Sequence, residues 1–231
     1  MGKESAERIQ TSILSKAEKK ALVWLAQRQP EWMTSDTLTY IGVLGTVVYA
    51  IGGWLSNTDI RYLWLSSFGL VLHWYGDSLD GTLARFRNTQ RPIYGFFIDH
   101  TLDAVTTCLI FLGAGLSPMF RMDVALAALA GYLSLSIYTY VCTIVKEEFC
   151  LTYGKLGPTE FRLLLILFKH TLHGTHHGPN GVSTGMVLNG AFFDILGIII
   201  TIILFSIYIA QFIKDRAAFA KQDPLKPHNK R

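Results

Sequence analysis

Four aspartates, Asp77, Asp80, Asp99 and Asp103, fall within the single stretch DSLDGTLARFRNTQRPIYGFFIDHTLD of an otherwise apolar chain. The first two are three residues apart and the last two four apart, so on helices each pair shares one face. Two adjacent antiparallel helices would bring the pairs together. Four carboxylates beside a membrane do not all stay ionised and unpaired, because each would cost at least ~2.5 kcal/mol even on the lenient insertion scale. Divalent cations resolve that conflict, and oxygen-only ligands suit Mg²⁺, Mn²⁺ or Ca²⁺ rather than zinc or copper. A pair of such ions could bridge a diphosphate, polarise its phosphoryl oxygens and neutralise charge on a leaving nucleotide. Gly81 would let a nucleotide approach the backbone, Ala84 keeps the same face low, and Arg85 offers a fork suited to phosphate oxygens. Helix capping or solvated interfacial charge explains one aspartate well, but not four at these spacings beside Gly, Ala and Arg.

The elements that position these residues must cross a membrane. The 231 residues are 50% hydrophobic and only 16% charged, more apolar than a soluble domain of this length. Several apolar stretches, including Leu38 to Leu55, Tyr94 to Leu116, Val124 to Val145 and Ala191 to Ile213, approach or reach the length needed to cross a ~30 Å hydrocarbon layer. The expected fold is therefore all-α and integral to the membrane, a single domain with six transmembrane helices. The first span follows Pro30, with Thr34, Ser35 and Asp36 as caps, and the second runs from about Ile60 past Asp80. The third extends from Tyr94 to Pro118, the fourth from Val124 to Val145, a short fifth from Pro158 to Leu172 and the sixth from Val187 to Ile213. Residues 1–33 form an N-terminal segment, 34–213 the six-helix core and 214–231 a basic cytoplasmic tail, lipid-facing or disordered.

The N-terminal segment lacks the apolar core and cleavage site of a signal peptide. Its apolar residues Ile9, Ile13, Leu14, Ala17, Ala21, Leu22 and Leu25 recur at helical spacing, as in an amphipathic juxtamembrane helix on the membrane surface; a solvated leader helix would read the same way. Cys108, Cys142 and Cys150 have no paired spacing and imply neither disulfide nor zinc site. The net charge of +4 raises the question of nucleic acid, but the basic residues flank apolar spans instead of forming one face, which favours membrane lipids as partner and no nucleic acid.

Loop charge orients the chain. Of 21 basic residues, six lie in the N-terminal segment, three are Arg85, Arg87 and Arg91, three are Lys146, Lys155 and Arg162, and six follow Ile213. Arg61 and Arg121 alone fall on the opposite side, while Lys169 sits in the fifth span. By the positive-inside rule both ends of this multi-pass chain, and the aspartates with them, face the cytoplasm.

The constellation resembles the signature of the CDP-alcohol phosphotransferases, D-x2-D-G-x2-A-R followed after a gap of usually eight by G-x3-D-x3-D, on Asp77, Asp80, Gly81, Ala84, Arg85, Gly95, Asp99 and Asp103. The gap between Arg85 and Gly95 holds nine residues, one more than usual, a small closure cost in a flexible loop. The resemblance implies a six-helix membrane fold with a cytosol-facing cavity, two divalent ions (Mg²⁺ or Mn²⁺) and a homodimer. It also implies that Asp77, Asp80, Asp99 and Asp103 hold the metals, that Asp103 additionally takes the proton of the acceptor hydroxyl, and that Gly81, Ala84 and Arg85 border the CDP moiety. Gly95 completes the signature on the substrate side.

Other residues are weaker candidates. Lys155 and Arg162, beside a Gly-Lys pair similar to the family's acceptor wall, could hold an anionic group, with positive-inside anchoring as the plain alternative; Glu160 is favoured near a helix start by the dipole in any case. His100 either orients a carboxylate or packs. His170, His173, His176 and His177 are interrupted by Gly174, Gly178 and Pro179 and read as a polar exterior loop. Asp194 reads as an interfacial residue at a helix start.

The expected reaction is metal-dependent transfer of a substituted phosphoryl group from a CDP-linked donor to an alcohol, with release of CMP, in phospholipid biosynthesis. The compact length resembles the branch in which CDP-diacylglycerol is donor and favours it. The Asp99-His100 pair resembles the other branch, in which CDP-choline or CDP-ethanolamine gives its head group to diacylglycerol. An intramembrane prenyltransferase would need a second Asp-rich motif, and a cation transporter would need a repeated architecture. Neither feature is visible.

Overall fold

A computed structural model describes residues 15–146 and 184–223. Among these the chain forms α1 (Ser15–Ala26), α2 (Ser35–Leu55), α3 (Tyr62–Phe86), α4 (Pro92–Gly115), α5 (Met122–Lys146) and α6 (Thr184–Gln222), with no strand. Helices α2, α4, α5 and the Ala191–Gln222 portion of α6 are long and apolar enough to cross a membrane. Large apolar side chains such as Leu44, Ile51, Ile137, Ile198 and Ile202 point outward on them, as helices solvated by lipid require. The chain is thus an all-helical integral membrane protein.

The expected second span coincides with α3, whose 25 residues are long enough to cross but whose C-terminal half carries Asp77, Asp80 and Arg85. Its outward face, Trp64, Phe68 and Val71, is exposed and apolar like that of its neighbours. The expected fifth span, Pro158 to Leu172, lies outside the described residues. So do Cys150, His170, His173, His176 and His177.

Two expectations take a more definite form. Leu22 and Ala26 of α1 do not face lipid: they are buried with Met33, with Leu38 of α2 and with Leu79 and Leu83 of α3, while Leu25 packs against the same cluster. The Trp74 indole N–H donates to Glu18 at 2.9 Å and the Tyr75 hydroxyl to Gln29 at 2.9 Å, so α1 is docked on α3. The apolar periodicity read in the sequence was real, but protein takes up that face and leaves Lys19, Lys20 and Trp24 outward. The first part of the tail is helical, because α6 continues through Lys214 to Gln222. Asp215 explains the extension: it accepts bonds from Lys146 at 2.8 Å and from the Tyr138 hydroxyl, tying α6 to α5 beyond the apolar span.

Helices α2 and α3 form a hairpin that meets backbone to backbone. A Cβ on Gly45 would stand 2.4 Å from the His73 nitrogen, one on Gly52 2.4 Å from that of Ser66, one on Gly69 2.4 Å from that of Tyr49 and one on Gly76 2.3 Å from that of Gly42. Gly45 and Gly52, like Gly69 and Gly76, are seven residues apart and so recur on one helical face. Helix α4 packs along α2 and α5, with Gly53 and Gly113 in similarly close approach. The glycine-lined α2 therefore stands between α3 and α4.

Candidate active site

Local sequence sets the frame of the site. Thr34 caps α2, its hydroxyl accepting from the Thr37 backbone N–H at 3.1 Å. Helix α3 ends in a Schellman turn: Asn88 takes φ of 56°, the Thr89 N–H donates to the Ala84 carbonyl at 2.9 Å and the Asn88 N–H to that of Arg85 at 3.3 Å. Pro92 then opens α4 at a position where its missing N–H costs nothing. The nine residues between Arg85 and Gly95 are thus divided between the last residue of α3, a short turn and the first turn of α4. Gly95 lies inside α4, and a Cβ there would meet nothing within 4 Å.

Asp77 of α3 and Asp99 and Asp103 of α4 line one narrow cleft. The sequence predicts their convergence through adjacent helices, but the connection is less direct. α3 and α4 make no extensive contact with each other, and Thr39, Gly42 and Val43 of α2 complete the cleft with His73, Leu102 and Thr106.

Asp80 stands at the edge, within electrostatic reach of Asp77 and Asp99. Both of its oxygens are engaged: Thr39 Oγ1 donates to Oδ2 at 2.7 Å and the Gly81 N–H to Oδ1 at 2.5 Å. Ser35 Oγ adds a bond to the Asp80 carbonyl at 3.1 Å.

The donor set is all carboxylate and hydroxyl oxygen apart from His73, which fits a hard divalent ion. Among the described residues, no three His, Cys, Asp or Glu side chains close on one point. Ions would be held by Asp77, Asp99 and Asp103, with Asp80 joining from the rim.

The three arginines beside the cleft are not equivalent. Arg87 is spent on the backbone, donating to the carbonyls of Gln29, Pro30, Glu31 and Met33 at 2.9, 2.9, 3.3 and 2.5 Å. Arg91 pairs with Asp36 and lies over the Tyr94 ring at 4.0 Å. Arg85 is exposed, bonds Thr82 at 3.3 Å and rests against the bare face of Gly81. Its guanidinium is the one among the three best able to turn to a phosphate, and Gly81 and Ala84 lie on the same stretch of helix.

His100 Nδ1 stands 2.9 Å from the Phe96 carbonyl oxygen, which accepts from it when that nitrogen carries the proton; the ring stacks on Phe96 at 4.0 Å and meets Tyr140 edge-on at 5.2 Å, and Nδ1 is 3.8 Å from Asp99. Asp194 accepts from the Arg121 backbone N–H at 2.8 Å, bracing the start of α5. Lys155, Glu160 and Arg162 lie outside the described residues.

Sequence reasoning missed Thr39, Gly42 and His73. His73, one turn before Asp77, is buried with Nδ1 3.2 Å from the Gly42 carbonyl. The heptad spacing of glycines in α2 and α3 was the available signal that α2 comes close enough to contribute.

No family model matches the chain. Cholinephosphotransferase 1 of Gallus gallus is 26% identical over 156 residues, 62% of this chain and 44% of that protein. The Danio rerio protein of the same name is also 26% identical over 156 residues, 39% of its length. Phosphatidylinositol phosphate synthase of Cutibacterium acnes is 36% identical over 88 residues, 36% of this chain and 38% of that protein. The matches thus span less than half the length of these curated relatives. Both kinds of relative are CDP-alcohol phosphotransferases, the family whose signature the aspartates resemble.

Proposed function

We propose, from this kinship and from the cleft that gathers Asp77, Asp99 and Asp103, that the chain transfers a substituted phosphoryl group from a CDP-linked donor to an alcohol in phospholipid synthesis. The observation that carries the reading is the placement of carboxylates from α3 and α4 around one cleft. In this reading Arg85 binds the donor's phosphates, and Gly81 and Ala84 admit the nucleotide. Asp103 takes the proton of the acceptor hydroxyl as its oxygen bonds to phosphorus; the bond from phosphorus to the CMP oxygen breaks and CMP leaves. Divalent ions, Mg²⁺ or Mn²⁺, would neutralise charge on the diphosphate. Positioning and charge neutralisation supply most of the acceleration. We place the cleft on the cytoplasmic side from loop charge, within a core of six spans that includes α3, and take a homodimer as the assembled form.

For the donor, the relatives matched over the longer stretch are cholinephosphotransferases, which favours a CDP-linked head group passed to a lipid alcohol. The phosphatidylinositol phosphate synthase with 36% identity favours CDP-diacylglycerol as the second reading. Purified protein offered each labelled CDP donor with a panel of alcohols separates them by the lipid formed. Chelation by EDTA is expected to abolish CMP release, and Asp103→Asn to lower it by about 10²–10⁴. Undiminished turnover by Asp103→Asn would remove the base assignment.

A further inference from the structure

Asp80 differs from its three partners in how it is held. Its carboxylate does not line the cleft, yet its Oδ2 accepts from Thr39 on a different helix at 2.7 Å. A threonine in a helix normally satisfies its hydroxyl on the carbonyl one turn back, and Thr39 has that option, with the Ser35 carbonyl at 3.1 Å. One hydroxyl carries one proton. The shorter contact to an ionised acceptor is the stronger, so the proton belongs to Asp80. The reach is made possible by Gly42 and Gly76, where the α2 and α3 backbones touch, only a turn away from Thr39 and Asp80.

A carboxylate offers about four lone-pair directions. Thr39 and the Gly81 N–H take one on each oxygen, which fixes the plane of the group and leaves the remaining directions for an ion.

We propose that Thr39 is a positioning residue that orients Asp80 toward the divalent ions held with Asp77, Asp99 and Asp103. The inference rests on the metal-dependent reading above. It concerns a residue of α2, outside the aspartate signature. Loss of such an outer partner typically weakens metal binding by about 10–100-fold.

The test is Mn²⁺ binding to detergent-purified protein, followed by the electron paramagnetic resonance of free Mn²⁺, alongside the Mn²⁺ concentration that half-saturates CMP release. Thr39→Val is expected to weaken binding by about tenfold or more with little change in the KM for the CDP donor, while Thr39→Ser keeps most of the affinity. Thr39→Ala removes the hydroxyl without keeping a branched side chain and is measured beside Thr39→Val, so a folding defect in one leaves the other. Because Thr39 acts through Asp80, adding Thr39→Val to Asp80→Asn is expected to cost nothing more. Wild-type affinity in folded Thr39→Val or Thr39→Ala, or losses that add in the double variant, would overturn the proposal alone. Absence of saturable Mn²⁺ binding by the wild-type protein would overturn the metal reading and this proposal with it.

Discussion

The α2–α3 and α5–α6 contacts are built on opposite principles. In the first, glycines let two backbones touch, so that added Cβ atoms would fall 2.3 to 2.4 Å from main-chain atoms. In the second, side chains fill the gap: Gly131 faces Leu204 and Phe205, and Asp215 gathers Lys146, Tyr138 and, at 3.6 Å, the Cys142 thiol. A main-chain contact has no rotamer to change, whereas a side-chain contact can repack. The half of the molecule that carries the cleft, lined by α2, α3 and α4, is the half with the least room to adjust.

Three substitutions probe that difference. Gly76→Ala drives a methyl to 2.3 Å from the Gly42 nitrogen and 2.4 Å from the Leu38 carbonyl; overpacking of this kind costs about 3 kcal/mol where the backbone cannot yield. Fluorescence-detected size exclusion on heating is expected to show a large loss of folded protein, and CMP release should fall further, since Asp77 is the next residue. Asp215→Asn keeps the shape of the α5–α6 cluster but discards its charge, and a loss of about one kcal/mol would lower Tm by about 2–4 °C. Activity measured on the surviving folded fraction is expected to stay near wild type. Gly131→Ala meets only the Leu204 Cβ at 3.2 Å and the Phe205 ring at 3.3 Å. There the gain in helix propensity, about 0.8–1 kcal/mol, roughly offsets the adjustment and Tm should barely move. Equal effects of Gly76→Ala and Gly131→Ala would erase the distinction between the two contacts.

Much of this was legible in the chain. Helix ends at Thr34, Pro92 and Asn88 follow from capping and proline geometry acting within a few residues, and the aspartate spacing fixed which carboxylates share a face. The role of α2 was not legible from hydropathy, because a helix packed on neighbours and one bathed in lipid are equally apolar. Its glycines carried the signal, but only as a repeat to be matched against the repeat in α3. The same ambiguity holds for α1: Leu22, Leu25 and Ala26 make an apolar stripe whether lipid or α3 covers it. For Thr39, the sequence offers nothing that distinguishes a hydroxyl turned to its own helix from one turned to Asp80.

The clamp at Arg87 bears on the order in which the chain can be assembled. Its guanidinium gathers carbonyls 54 to 58 residues upstream, and the bonds to Glu18 and Gln29 come from Trp74 and Tyr75, 56 and 46 residues downstream of them. α1 is synthesised before any of the groups that hold it. It must wait, with Leu22 and Ala26 uncovered, until α3 has been made to its last turn, so its docking reports completion of the hairpin on which the cleft depends.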